Sequence, residues 1–377
     1  MLGRRRKPPA SAAETLPPPY AAIRRALLAW FRANARTLPW RGTRDPYAVW
    51  ISEIMLQQTQ IATVTPFYQR FLAAFPTVAH LAQAPLEQVL ELWSGLGYYR
   101  RARHLHQAAQ VIAQQHAGKF PEDYVGVRAL PGIGDYTAKA VLSITFNQPY
   151  AVLDGNVARV VARLGCLRGN LHQPRFRKVA EAELAGLLSR RKPGNFNQAL
   201  MELGQTICLP RGPLCATCPL AKWCAGHRSG NPEAFPLPRP RRAAENHHLA
   251  VAVIRNGSRV AMVRGLAEGL LDDLWNFPAA FGASPAEALG ALRVKVAGLV
   301  RAPLDRVGGR PGMPPLTLQE PMAEFRHHIT FRAIQGRIYL VEISRLARHD
   351  SLRWFELKQL PQAAISQLAR KVAQKIM

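Results

Sequence analysis

Apolar residues recur at helical spacing through most of the chain. From Ala21 to about Ala225 the segments AAIRRALLAWFRANA, YAVWISEIMLQQTQIATVTPFYQRFLAAF, LEQVLELW, RARHLHQAAQVIAQQH and FRKVAEAELAGLL place hydrophobic side chains three and four positions apart, as helices with one buried stripe do. Asp45-Pro46 predicts a helix start: the aspartate caps free N–H groups and the proline lacks an N–H that would go unused there. The pattern changes beyond Cys224. GHRSGNPEAFPLPRPRRAAEN is rich in Pro, Gly and Arg and reads as a linker. HHLAVAVIRNGSRVAMVRG predicts two strands about an Asn256-Gly257 turn. FRAIQGRIYLVEI predicts a further strand, and SPAEALGALRVKVAGL and LPQAAISQLARKVAQKI two helices. The expected organisation is a basic, disordered arm over 1–19, a helical domain over 20–225, a linker over 226–246 and a smaller α+β domain over 247–377.

Composition adds a partner. The 377 residues carry 50 Lys and Arg against 24 Asp and Glu, a formal charge of +26. Such an excess attracts phosphate and releases counterions from nucleic acid. The plain alternative is a soluble basic surface. Anionic lipid is a third reading, against which stands the lack of any long apolar segment, so no membrane partner is expected. The opening MLGRRRKPPASAAETLPPPY lacks the apolar stretch of a secretory signal. A cytoplasmic location is therefore expected, nucleoid-associated in a bacterium. The arm either touches phosphates or is a solvated tail.

Three features carry chemistry. Cys208, Cys215, Cys218 and Cys224 follow C-x6-C-x2-C-x5-C, too crowded for a secreted disulfide framework. Four such thiolates suit a [4Fe–4S] cluster or a zinc ion, and spacing leaves both open. The fifth, Cys166, sits among apolar residues as a small core side chain. Leu130-Pro131-Gly132-Ile133-Gly134 reads as a helix–hairpin–helix turn. Its glycines permit a sharp turn, and the helix beginning near Asp135 offers free N–H groups to a phosphate without reading sequence; an ordinary Pro-Gly turn is the alternative. Glu53 lies in the apolar stretch ISEIMLQQTQ, where burial would raise its pKa and suit a general acid; an exposed glutamate on the polar side of the helix is the alternative, and the better one if the residue is taken alone. Gln57 shares its helix face and Gln58 is adjacent. Asp154, in AVLDGNVARV, is placed to cap a helix, to face a substrate, or both.

Taken together, LPWR, SEIMLQQTQ, GLGYYRRAR, LPGIGDYTAKAV, VLDGNVARV, FNQALMELGQTIC and the cysteine spacing resemble the MutY-type adenine DNA glycosylases of the helix–hairpin–helix superfamily. The resemblance runs from about residue 20 to about residue 370. It implies a mainly α helix–hairpin–helix glycosylase domain with an iron–sulfur loop, plus a smaller α+β, Nudix-like C-terminal domain. It implies a monofunctional enzyme that flips adenine out of double-stranded DNA and hydrolyses its glycosidic bond opposite 8-oxoguanine or guanine. By the same resemblance, Glu53 protonates adenine N7 and later helps activate water, while Asp154 stabilises the sugar cation; this is the logic of two carboxylates flanking a glycosidic bond. Asn156 positions acid and water. Tyr136 stands where strand-cleaving relatives carry a nucleophilic lysine, and a phenol forms no Schiff base; Lys139 is out of register and reads as a surface or phosphate contact. Arg41 and Gln198 are expected against the flipped adenine, Gln57 among the substrate- or DNA-binding residues, and Gln58 and Tyr98 in the base stack; a core aromatic is the alternative for Tyr98, and Gly95 and Gly97 nearby favour a loop tip. Gly132 and Gly134 belong to the phosphate-gripping hairpin.

The resemblance also makes the four cysteines ligands of a structural [4Fe–4S] cluster that holds the basic loop from Lys222 to Arg228 against DNA. In the C-terminal domain Lys295 and Val296 stand where a Nudix hydrolase would place two acids, so no pyrophosphatase activity is expected. Lesion recognition falls to a loop, Phe325-Arg326-His327 followed by His328, with Arg326 where the family usually has Ser; an ordinary histidine pair at a strand edge is the alternative. Trp275 is expected in the core. A monomer suffices for one lesion. The competing readings are an endonuclease III-like lyase, disfavoured by Tyr136 and the added domain, and a non-catalytic DNA-binding protein, disfavoured by Glu53 and Asp154.

Overall fold

A computed structural model describes residues 19–238, 243–266, 271, 274–301, 318, 320–329, 331–343, 349–361 and 363–377. Helices α1 (Tyr20–Asn34), α2 (Pro46–Leu56), α3 (Ile61–Ala74), α4 (Val78–Gln83), α5 (Leu86–Trp93), α6 (Arg100–Gln115), α7 (Tyr124–Ala129), α8 (Asp135–Thr145), α9 (Gly155–Gly165), α10 (Pro174–Leu187), α11 (Pro193–Thr206) and α12 (Ala225–Arg228) come first. Aspartates start several of them: Asp45 accepts from Tyr47 N at 3.0 Å, Asp123 from Gly126 N at 2.8 Å and Asp154 from Val157 N at 2.7 Å, each satisfying an N–H that has no partner inside its helix. The run from Tyr47 to Phe75 is not one helix. It breaks between Leu56 and Ile61, where Gln58 takes φ +55°. The apolar spacing hid the break because both flanking segments are helical. Among the described residues, no helix is long and apolar enough to cross a membrane.

The described residues of the helical region fall into two compact units. The described residues of Met1–Thr37 and Asp135–Arg239 form one unit; those of Leu38–Gly134 and Pro240–Met377 form the other. These units interleave along the chain. The first is built on Leu27, Phe31, Val161, Phe176, Phe196 and Leu203. There α11 crosses α8 so closely that a Cβ on Gly194 would lie 2.5 Å from the carbonyl oxygen of Ser143. Beside the crossing, Asn197 Nδ2 donates to Ser143 Oγ at 2.9 Å and to Tyr150 O at 2.8 Å. The start of the expected linker also belongs to this unit: Phe235 packs on its core, and Leu237 N donates to Gly169 O at 2.8 Å. Cys166 is a partly buried residue at φ +50° that ends α9, rather than a core side chain.

In the second unit, α2 to α7 bury Trp50, Phe71, Leu81, Trp93 and Ile112. The C-terminal part is a mixed sheet of β1 (Glu245–Asn256), β2 (Arg259–Arg264), β3 (Trp275–Asn276), β4 (Ala279–Gly282), β5 (Ala323–Ile329), β6 (Arg332–Glu342) and β7 (Leu352–Glu356). The order is β3-β2-β1-β6-β5, with β4 on β1 and β7 on β2. β1 and β6 run parallel from Glu245↔Arg332 to Arg255↔Glu342; the other pairs are antiparallel. Alternation along β1 sends Ala250, Ala252 and Ile254 to α13 (Pro285–Arg301), which answers with Ala288, Leu292, Val296 and Val300. Leu249, Val251 and Val253 face the other core, with Trp275 and α14 (Gln367–Ile376). The last helix is shorter than its apolar spacing suggests. Ile365 makes a parallel bridge with Trp275, and Ser366 caps the helix by accepting from Ala369 N at 2.9 Å.

Candidate active site

Glu53 sits mid-way along α2 at 7% exposure, with Trp50, Ile51, Ile54 and Met55 buried around it. Its helix ends at Gln57, and Gln58 and Tyr98 follow in left-handed backbone, at φ +55° and +51°. Tyr98 is 50% exposed, in the loop where Gly95 and Gly97 take φ +115° and +74°. A cavity of about 250 Å³ is lined by Gln57, Gln58, Tyr98, Arg101, Trp50 and Gly132, among others. The fold thus gathers four residues expected at DNA, Gln57, Gln58, Tyr98 and Gly132, around one opening. Arg41 lies in the turn before α2, its N–H donating to Leu38 O at 2.9 Å.

The hairpin has the expected form. Ile133 N donates to Leu130 O at 3.2 Å, and Arg128 Nη1 donates to Ile133 O at 2.8 Å. Gly132 has φ +74°, and a Cβ there would stand 2.5 Å from His104 Cβ, so neither the backbone nor the space admits a side chain. A Cβ on Gly134 would meet nothing within 4 Å. That open side fits close approach of a phosphate. In the first turn of α8, Tyr136 Oη donates to Met201 Sδ at 3.3 Å. Lys139 is held by Asp135 at 3.0 Å.

Asp154 caps α9 and also accepts from Asn156 Nδ2 at 3.0 Å. Burial pushes its carboxyl above the usual range; the hydrogen bonds from Val157 and Asn156 and the charge of Arg159 pull the other way. Asn156 Oδ1 in turn accepts from Arg159 Nη2 at 3.0 Å. Arg159 also donates to Gly204 O at 2.7 Å and to Cys208 O at 2.8 Å. One turn on, Arg163 is 3% exposed and donates to Leu209 O at 2.7 Å, Pro210 O at 3.0 Å, Phe235 O at 3.0 Å and Cys208 Sγ at 3.4 Å. Sequence reasoning missed both arginines. The available signal was their spacing of four on a helix without an acidic partner. Gln198, on α11, donates to Gly194 O at 3.4 Å.

The cysteine loop is bound to this helix. Cys224 Sγ donates to Arg163 O at 3.3 Å. Burial pushes Cys218 up to about 11 and moves Cys215 and Cys224 the same way, and each of the three also feels Cys208. All four are free thiols. Their chemistry and mutual influence fit a shared thiolate-bound centre. Among the described residues no group of three Cys, His, Asp or Glu is placed to hold a single metal ion. In the adjoining basic segment, Lys222 lies 4.3 Å from the Trp223 ring centroid, and Arg228 donates to Lys222 O at 3.0 Å.

Phe325, Arg326 and His327 are not in a loop. They form part of β5, at the edge of the sheet, pairing with Gly336, Gln335 and Ile334. Phe325 is buried over Gly336, where a Cβ would lie 2.2 Å from its ring. The missing side chain at Gly336 leaves room for the ring to lie on the sheet, which suits this segment to a strand. Arg326 and His328 are exposed; His327 is partly buried. Burial, then Lys371 and His328, lower the pKa of His327. Trp275 is in the core as expected. Lys295 Nζ donates to Ala279 O at 3.0 Å and Leu266 O at 3.3 Å, and Val296 is buried; both positions tie α13 to the sheet.

Known proteins show the family. A family model described as HhH-GPD superfamily base excision DNA repair protein matches residues 51–185. An adenine DNA glycosylase of Homo sapiens is 31% identical over 409 residues, covering 93% of this chain and 73% of that protein. One of Buchnera aphidicola from Acyrthosiphon pisum is 34% identical over 253 residues, covering 67% of this chain and 72% of the relative. The solved structure of a thermostable thymine-DNA glycosylase superposes with a TM-score of 0.51 at 27% identity, over 56% of this chain and 97% of that one. The chain belongs to the adenine DNA glycosylases of the HhH-GPD base excision repair superfamily.

Proposed function

We propose that the protein binds duplex DNA, extrudes an adenine mispaired with 8-oxoguanine or guanine, and hydrolyses its N-glycosidic bond without cutting the strand. The observation that carries this reading is Glu53, a carboxylic side chain 7% exposed among apolar neighbours on a helix that ends at the Gln57–Tyr98 cavity. Glu53 gives its proton to adenine N7. The C1′–N9 bond then breaks and adenine leaves with that proton, while the anionic Asp154 faces the positive charge developing on the sugar. Water adds at C1′ and its proton returns to Glu53. Asn156 fixes the Asp154 carboxyl through the 3.0 Å hydrogen bond. Arg41 and Gln198 contact the extruded base, and Gln58 and Tyr98 fill its place in the stack.

Tyr136 supports the monofunctional reading, since its phenol is engaged with Met201 and forms no Schiff base. Cys208, Cys215, Cys218 and Cys224 would hold a [4Fe–4S] cluster, which supplies a cross-link for the loop rather than electrons for the reaction. Exposed Arg326 and partly buried His327 at the β5 edge read the opposite base. A neutral imidazole there both donates and accepts, and Arg326 donates to an acceptor edge or a phosphate. The test is product analysis on a duplex with adenine opposite 8-oxoguanine. Free adenine and an abasic strand that breaks only with alkali are expected. Stoichiometric trapping of protein on DNA by borohydride would overturn the monofunctional claim; release of a pyrimidine in place of adenine would overturn the substrate.

A further inference from the structure

Just past the end of helix α2, Thr59 N donates to Leu56 O at 3.3 Å. The last carbonyls of a helix have no partner within it, and those of Ile54, Met55 and Gln57 take donors from α6. One side chain supplies them. Arg101 Nη1, from the first turn of α6, donates to Ile54 O at 2.7 Å, Met55 O at 3.0 Å and Gln57 O at 2.6 Å. Its Nη2 reaches a different segment, Leu96 O at 3.4 Å and Gly97 O at 3.1 Å, and also takes Thr59 Oγ1 at 3.2 Å. The guanidinium carbon lies 5.4 Å from the ring centroids of both Trp93 and Tyr98. A planar group with donors diverging from one centre can bridge two chain segments at a set spacing; an ammonium cannot.

The two bridged segments are the ones that carry Gln58 and Tyr98, each held at positive φ. Positive φ is unfavourable for residues other than glycine and persists only where surroundings enforce it. Arg101 enforces it from inside. From the C-terminal domain, Arg370 Nη2 braces the same loop by donating to Ser94 Oγ at 2.5 Å, and the Tyr99 hydroxyl accepts from Gly95 N at 3.1 Å.

We propose that Arg101 is a positioning residue for base extrusion: its guanidinium sets the distance between Gln58 and Tyr98, so that both enter the duplex as one preformed wedge. The inference rests on the glycosylase reading above. It separates two steps that Glu53 and Asp154 do not separate, opening the stack and breaking the bond. Arg101 acts only on the first.

The test compares the wild-type protein with Arg101→Lys, which keeps the charge and loses the bridge. Thermal melting first establishes that the variant is folded. Should it fail to fold, Thr59→Val, which removes one of the six acceptors, takes its place. Single-turnover adenine release is measured from two duplexes, one with adenine opposite 8-oxoguanine and one with adenine opposite an abasic position. In the second the adenine has no partner to leave, so extrusion demands little. Fluorescence of 2-aminopurine at the target position reports unstacking directly. The expected result is a loss of about tenfold or more on the paired substrate with a smaller 2-aminopurine rise, and a change below about threefold on the abasic one. Equal losses on both duplexes, or none on either, would overturn the role. Absence of adenine release by the wild-type protein would refute the parent reading and would show in the control lane alone.

Discussion

Replacing Arg163 with methionine should loosen the cysteine loop more than any change at its surface. The side chain is of similar length but donates nothing. Four acceptors lose their donor: Leu209 O, Pro210 O, Phe235 O and Cys208 Sγ. Hydrogen bonds to a charged donor contribute roughly 1.5–3 kcal/mol each. Pro210 is exposed, so its carbonyl finds water and contributes little. The remaining three give a gross loss of about 5–9 kcal/mol, from which the relieved desolvation of a buried guanidinium must be subtracted, several kcal/mol. A net cost of about 3 kcal/mol follows, or a fall in melting temperature of about 6–12 °C for a unit of this size. Circular dichroism measures the melt. Trypsin gives the local reading, since Arg211 and Lys222 lie in the loop and cleavage there tracks its opening. Three kcal/mol corresponds to roughly a hundredfold faster cutting. A melt within about 1 °C of wild type, with loop cleavage within about twofold, would refute the reasoning.

Gly226→Ala tests the same junction by packing: the new Cβ would stand 2.9 Å from Arg163 O and 3.4 Å from its Cα, both backbone, so a loss of about 1–3 kcal/mol is expected in the melt, and an unchanged melting temperature would show that α12 shifts freely. Asp154→Asn should abolish adenine release yet stabilise the fold. The folded protein holds the Asp154 proton more tightly than the unfolded chain does, because burial raises the pKa from 3.8; stability from this group is therefore lost as pH rises through the folded value. The gain in melting temperature of the Asn variant should be present at pH 7 and shrink towards pH 4. A gain that grows on acidification would show that Asp154 is stabilised as an anion.

Much of this molecule could be read in advance, and the limits have physical causes. Helices with one buried stripe show themselves by spacing, and Asp45 and Asp154 marked two starts because a short acidic side chain before a helix has few other uses. The hairpin glycines were legible because Gly132 needs both a positive φ and room beside His104. The Gln57–Gln60 break was not legible. It depends on Arg101, which is over 40 residues away and takes the carbonyls that would otherwise continue the helix. Arg159 and Arg163 escaped for a related reason: in a chain with 50 basic residues an arginine reads as surface, and only the fold reveals which guanidinium groups are buried against carbonyls. Phe325 was misplaced in a loop because the cause of its strand lies in Gly336, across the ladder.

The central claim is that Glu53 is the acid of an adenine-specific glycosylase that reads the opposite base. The most direct measurement is single-turnover adenine release from duplexes with adenine opposite 8-oxoguanine, guanine or thymine, by the wild-type protein and by Glu53→Gln. Fast release opposite 8-oxoguanine, slower release opposite guanine, little opposite thymine, and a loss of at least about a hundredfold in the variant, are predicted. An E53Q protein that releases adenine at the wild-type rate, or wild-type rates equal on all three duplexes, would contradict it.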